Sequence, residues 1–140
     1  MRIFLAAFVI LTGFMTAPAL SAAVEARIDI SEQKMRVYRY GVLTHSWKVS
    51  TGRKGYRTPT GSYKPTRMYK KYYSKKYDNA PMPYSVFFRG GYAIHGTGSI
   101  KRLGRPASHG CVRLHPKNAR ALYSMIQRVG RKNAKISIRH

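Results

Sequence analysis

Apolar and polar residues alternate from residue 24 onward. Val24, Ala26, Ile28 and Ile30 are separated by Glu25, Arg27 and Asp29. A period of two marks a strand with one buried face. A polar turn over 31–34 leads to a second alternating run, 35–40, with Met35 and Val37 on one side. Tyr40-Gly41 predicts a hairpin turn, and 43–50, built around Trp47 and Val49, predicts a third strand. The chain to residue 50 therefore reads as an antiparallel meander. A basic, glycine-containing loop over 51–57 follows. Thr58-Pro59-Thr60-Gly61 punctuates it, since proline fixes φ and glycine permits positive φ. A short strand is expected over 62–64. Residues 64–83 show no period and are expected to be irregular. They are crowded with Tyr and Lys, and their length suggests a lid or insertion over a cleft. Hydrophobic 84–88, the Gly90-Gly91 turn and 92–95 predict a second hairpin, which leaves His95 at a strand end.

The period changes at Pro116, a residue suited to a first helical turn. Ala119, Leu122, Met125, Ile126 and Val129 recur at steps of three and four, which predicts one amphipathic helix. Gly130 is placed to stop it. Residues 134–139 alternate again, with Ile136 and Ile138 as the buried pair. The expected fold is mostly β (β-rich α+β), with a single amphipathic helix near the C-terminus.

A length of 140 residues fits one domain, and an apolar fraction of 44% is ordinary for a globular chain. The charge is not ordinary. Twenty-seven Lys and Arg face four Asp and Glu, a net +23. Such a field attracts polyanions. The basic residues are spread along the chain, and no module of a specific nucleic-acid reader is present. Met1-Arg2, a mostly apolar run over 3–15, and then Pro18, Ala19, Ser21, Ala22 and Ala23 have the order of a secretory signal peptide. The expected division is a leader over 1–23 and one domain over 24–140. The apolar run is short and interrupted for a membrane span. No stable membrane insertion is expected after cleavage, and the expected location is the periplasm or cell envelope of a bacterium.

The chain has one cysteine, Cys111. In an exported protein it has no intramolecular disulfide partner, so it is either a small buried hydrophobe or a thiol kept for chemistry. Its surroundings, Ser108-His109-Gly110-Cys111-Val112-Arg113-Leu114, favour chemistry. His95-Gly96 lies upstream, at the end of a predicted strand. A thiol and an imidazole joined by the fold rather than by adjacency are the layout of a nucleophile and its base.

These two segments resemble the signature of the L,D-transpeptidase (YkuD-type) catalytic domain. The likeness extends to Ser50-Thr51-Gly52 with Thr58-Pro59-Thr60-Gly61, and to Met82-Pro83-Tyr84 before Phe87-Phe88. It covers nearly everything after the leader. It implies a YkuD-like β-sandwich and acyl transfer on peptidoglycan tetrapeptide stems, with no metal and no cofactor. By the resemblance Cys111 is the nucleophile, His95 the proton donor and acceptor, and the Gly96 carbonyl orients the imidazole. Backbone N–H groups of Gly110 and Cys111 would hold the oxyanion. His109, Arg113, Ser108 and Tyr84 would contact substrate. The thiolate would attack the amide before the terminal D-alanine and form a thioester. A stem peptide, an envelope protein, a D-amino acid or water would resolve it. The partners implied are stem peptides and an envelope protein as acceptor, with no specific nucleic acid.

Two other classes fit some of the same residues. His95, His109, Cys111 and His115 could furnish four zinc ligands, although their spacing matches no standard zinc module. A non-catalytic cationic binder of wall polymer or nucleic acid would need no reactive thiol. His115 reads more simply as a helix cap, and Ser108 as a turn hydroxyl.

Overall fold

The computed structural model describes residues 13–15 and 21–140. The expected leader lies almost wholly outside the described residues. Among those described, no helix is long and apolar enough to cross a membrane.

The predicted meander is present as β1 (Val24–Asp29), β2 (Lys34–Arg39) and β3 (Val42–Lys48). Tyr40 and Gly41 both have positive φ, at 48° and 80°, which closes the β2–β3 hairpin. Along β1, buried Val24, Ala26 and Ile28 alternate with more exposed neighbours, as the period of two requires. A five-stranded sheet forms in the order β3-β2-β1-β11-β4, with β4 at Gly61–Tyr63 and β11 at Ala134–Arg139. The last strand therefore pairs with the first, in parallel, Ile136 opposite Ala26.

The second sheet has the order β10-β9-β8-β5. The hairpin of β8 (Ser85–Arg89) and β9 (Tyr92–Gly96) forms its centre. On one side β10 (Val112–Leu114) joins β9 in parallel. On the other, β5 (Arg67–Tyr69) pairs with β8, Met68 opposite Val86. Residues 64–83 are thus less irregular than expected. They contain β5 and a small hairpin of β6 (Tyr73–Ser74) and β7 (Ala80–Pro81). Neither announces itself by alternation, because β5 is held by its ladder to β8 and β6–β7 is two residues long on each side.

The helix α1 (Pro116–Val129) starts where proline fits the first turn and ends at Gly130, φ 89°. His115 caps it, its Nδ1 accepting from the Lys117 N–H at 3.1 Å. The inner faces of both sheets and the apolar face of α1 share one core. Ile28, Val37 and Ile136 come from the first sheet, Val86, Ile94 and Leu114 from the second, and Leu122 and Ile126 from the helix. All are almost fully buried, and each such aliphatic side chain contributes about 1.5–3 kcal/mol.

One polar bracket ties the first sheet to the second. Gln33, 4% exposed, lies in the turn after β1 with φ 51°. Its amide donates to Thr51 Oγ1 at 2.6 Å and its carbonyl accepts from the Thr51 N–H at 3.0 Å. This fixes the 50–52 segment, which bridges to Arg113 and to Ser108. The bracket is buried, so breaking it leaves a Thr51 N–H without water or partner. Gln33→Ala should cost about 2–3 kcal/mol in urea-induced unfolding, whereas Glu32→Ala, whose exposed carboxylate pairs with Arg36, should change stability by under about 1 kcal/mol.

Candidate active site

Alternation positions the chemistry. In the parallel ladder Arg113 is opposite His95, and Val112 is opposite Ile94. Val112, Leu114 and Ile94 face the core and are essentially buried. Cys111, Arg113 and His95 have the opposite parity and line one cavity of about 1190 Å³. The side chains expected to act together are therefore delivered by one three-residue pairing and the residue just before it. His109 and Ser108 border the same cavity. Tyr84 does not. It has φ 53°, donates its N–H to the Lys70 carbonyl, and packs edge-on against Tyr123 of α1.

His95 is 6% exposed. Its Nδ1 lies 2.7 Å from the carbonyl oxygen of Gly96. A carbonyl only accepts, so Nδ1 carries the proton and Nε2 is the basic nitrogen of the neutral ring. Burial pushes the imidazole pKa down to about 4, outweighing the Gly96 bond, with the Arg113 charge adding to the decrease. Cys111 packs against the small apolar cluster of Met82, Phe87 and Ala93. Burial pushes its thiol pKa up, although the Ala93 N–H and the Arg113 charge pull the other way. In the folded protein both groups shift toward their neutral forms, because desolvation outweighs the favourable partners.

The turn that presents Cys111 is built by hydroxyls. Ser108 is fully buried, accepts from the Gly110 N–H at 3.0 Å and donates to the Cys111 carbonyl at 2.6 Å. Both its hydrogen bonds are internal, so it shapes the turn. The same contact occupies the Gly110 N–H, one of the two expected oxyanion donors. The Cys111 N–H has no protein partner among the described residues. Thr58, 2% exposed, donates to the Gly110 carbonyl at 2.8 Å and accepts from the Gly52 N–H at 2.9 Å. This is the physical content of the Thr-Pro-Thr-Gly segment. Gly110 has φ 117°, and a Cβ there would stand 2.6 Å from the Tyr92 ring, so both backbone and space demand glycine.

The rim is aromatic and cationic. His109 stacks flat on Tyr77, with centroids 4.2 Å apart, and meets Tyr56 edge-on at 4.8 Å. Burial and the charges of Arg53, Arg113 and Lys76 push its pKa down. Tyr77 belongs to the β6–β7 hairpin, so the Tyr/Lys-rich segment does border the cleft. Arg113 is half-buried and donates to the Ala107 carbonyl at 3.4 Å. Gln33 and Tyr92 carry no signal in the sequence, whereas Thr58 belongs to the Thr-Pro-Thr-Gly segment and Tyr77 to the Tyr/Lys-rich one. The four candidate zinc ligands do not converge. His115 is committed to its cap, and among the described residues no three metal-ligating side chains cluster.

No curated protein matches the chain. The fold is similar to an L,D-transpeptidase from Mycobacterium smegmatis, with a TM-score of 0.76 at 22% identity, covering 85% of this chain and 59% of that one. It is similar to an L,D-transpeptidase from Stackebrandtia nassauensis, with a TM-score of 0.75 at 26% identity, covering 93% and 62%. It is also similar to L,D-transpeptidase 3 from Mycobacterium tuberculosis, solved in complex with a faropenem-derived adduct, with a TM-score of 0.72 at 23% identity, covering 84% and 60%. The chain thus spans about three-fifths of the length of each. The profile of the L,D-transpeptidase catalytic domain matches residues 23–137, nearly the whole chain described above, and the protein belongs to that family.

Proposed function

We propose that this domain is an L,D-transpeptidase that acts on peptidoglycan tetrapeptide stems through a thioester on Cys111. One observation carries the reading: Cys111 and His95 line a single cleft, and the Gly96 carbonyl pins the tautomer that leaves Nε2 free to take a proton. Because the pair rests neutral, proton transfer accompanies attack rather than preceding it. The thiol proton moves to Nε2 as the sulfur bonds to the carbonyl carbon before the terminal D-alanine. The C–N bond then breaks, and His95 returns the proton to the departing amine. The Cys111 N–H holds the oxyanion. Arg113 grips a substrate carboxylate, a pairing that suits a planar guanidinium. His109 walls the pocket. Ser108 and Gly110 act one step back, by holding the turn. An incoming amine then attacks the thioester, giving 3-3 crosslinks or the attachment of an envelope protein. This chemistry belongs outside the cytoplasm, in keeping with a cleaved leader over 1–23, a mature domain over 24–140, and a periplasmic or envelope location.

Mass spectrometry of tetrapeptide muropeptides incubated with the protein should show loss of D-alanine, a crosslinked product and an acyl adduct on Cys111. Cys111→Ala should abolish all three while moving the thermal midpoint by only a few degrees. The Mycobacterium tuberculosis relative was solved with a faropenem-derived adduct, and faropenem should likewise add to Cys111 here. An unmodified Cys111 after both treatments would reject the proposal.

The histidine sets the pH response. An unfolded His95 takes a proton near pH 6.5 and the folded one near 4. Above pH 6.5 the shift costs nothing. As the pH falls from 6.5 toward 4, the unfolded state binds the proton first and stability declines. At about 1.4 kcal/mol per unit, the loss reaches about 3 kcal/mol. Urea unfolding across that range should show this decline, and His95→Gln should flatten it. In the wild-type protein the acid limb of Cys111 acylation should fall near pH 4 rather than 6.5.

A further inference from the structure

The acids of this chain are almost all spent far from the cleft. Glu25 pairs with Arg27 at 3.0 Å, Glu32 with Arg36 at 2.7 Å, and Asp29 with Arg139 at 4.0 Å, all on or beside the first sheet. The fourth is Asp78. It has no ion-pair partner among the described residues, although the chain has 27 Lys and Arg. It lies at the tip of the β6–β7 hairpin, next to Tyr77, whose ring is stacked on His109 two residues before Cys111. Among the residues lining the catalytic cleft it is the one carboxylate.

That placement meets an electrostatic need. The thioester of the proposed reaction is resolved by an amine, which is an ammonium ion at neutral pH. The cleft confronts it with Lys75, Lys76 and Arg113. Like charges disfavour its entry, and water, being neutral, meets no such barrier. A carboxylate among them offers a cation one attractive contact in the same lining.

Resting on the transpeptidase reading, we infer that Asp78 is the acceptor-recognition residue. Its carboxylate binds the ammonium group of the acyl acceptor and favours an amine over water. The bound ammonium loses one proton to solvent. The free amine then attacks the thioester, its nitrogen bonds to the carbonyl carbon, and the C–S bond breaks. The amine's second proton passes through His95 to the sulfur, which restores the thiol.

Asp78 and Asn79 both have positive φ, 51° and 52°, and Asp and Asn are the residues that tolerate it. A turn requirement alone would therefore also select Asp. Asp78→Asn separates the two explanations, because it keeps the turn preference and removes the charge. The acyl-enzyme is formed from a tetrapeptide muropeptide and partitioned between hydrolysis and aminolysis. The acceptors are Nα-acetyl-lysinamide, a cation, and hydroxylamine, which is neutral at pH 7.5. The variant should raise the KM for the lysine amide about fivefold, the scale of an exposed charge contact. The rise should shrink in high salt. Hydroxylamine partitioning and the rate of D-alanine release should be unchanged. Equal effects on both acceptors, no effect on either, or failure of the lysine amide to accept in the wild type would overturn the assignment. Absence of any acyl adduct on wild-type Cys111 would remove the transpeptidase reading, and this assignment with it.

Discussion

Three residues of parallel pairing between β9 and β10 hold this molecule's chemistry together. The register sends Ile94, Val112 and Leu114 into the shared core and leaves His95, Cys111 and Arg113 on the cleft side. A slip by one residue would invert the assignment and bury the guanidinium in hydrocarbon. The hydrophobic burial that stabilises the sheet therefore also specifies which side chains line the cleft. So short a ladder does not hold its register alone. The 50–52 segment bridges to Ser108 and Arg113, and Gln33 and Thr58 lock that segment with buried hydrogen bonds.

The site follows from desolvation. Cys111 lies among apolar side chains and His95 is almost fully enclosed. Water is removed from both groups, and each is driven toward its uncharged form. A preformed thiolate–imidazolium pair would have to offset two desolvation penalties. A neutral pair avoids them. The Gly96 carbonyl serves this arrangement, because it fixes the tautomer without adding a buried anion.

The remainder of the surface is governed by an excess of positive charge. The three ion pairs near the first sheet are exposed on at least one side and contribute little to stability. The cleft rim combines Tyr, His and Lys side chains. Tyr77 stacked on His109 fastens the β6–β7 hairpin to the turn that carries the thiol. The segment that looked least ordered in sequence is thus joined to the loop that precedes Cys111.

Alternation in 24–40 and 134–139 and the three-four spacing of Ala119 to Ile126 specified strands and helix, because each encodes one buried face. The lone cysteine, the upstream His95-Gly96 and the order of the motifs were enough to name the family. Other features needed the folded chain. The parallel docking of β11 on β1, the edge strand β5 and the aromatic clamp on His109 join residues distant in sequence, and no local period records such contacts. Ser108 occupying the Gly110 N–H, and Tyr84 turning toward the helix, were settled by hydrogen bonding and packing. The protonation of the Cys111–His95 pair was decided last and wholly by tertiary structure, because it depends on how much water the surrounding chain removes.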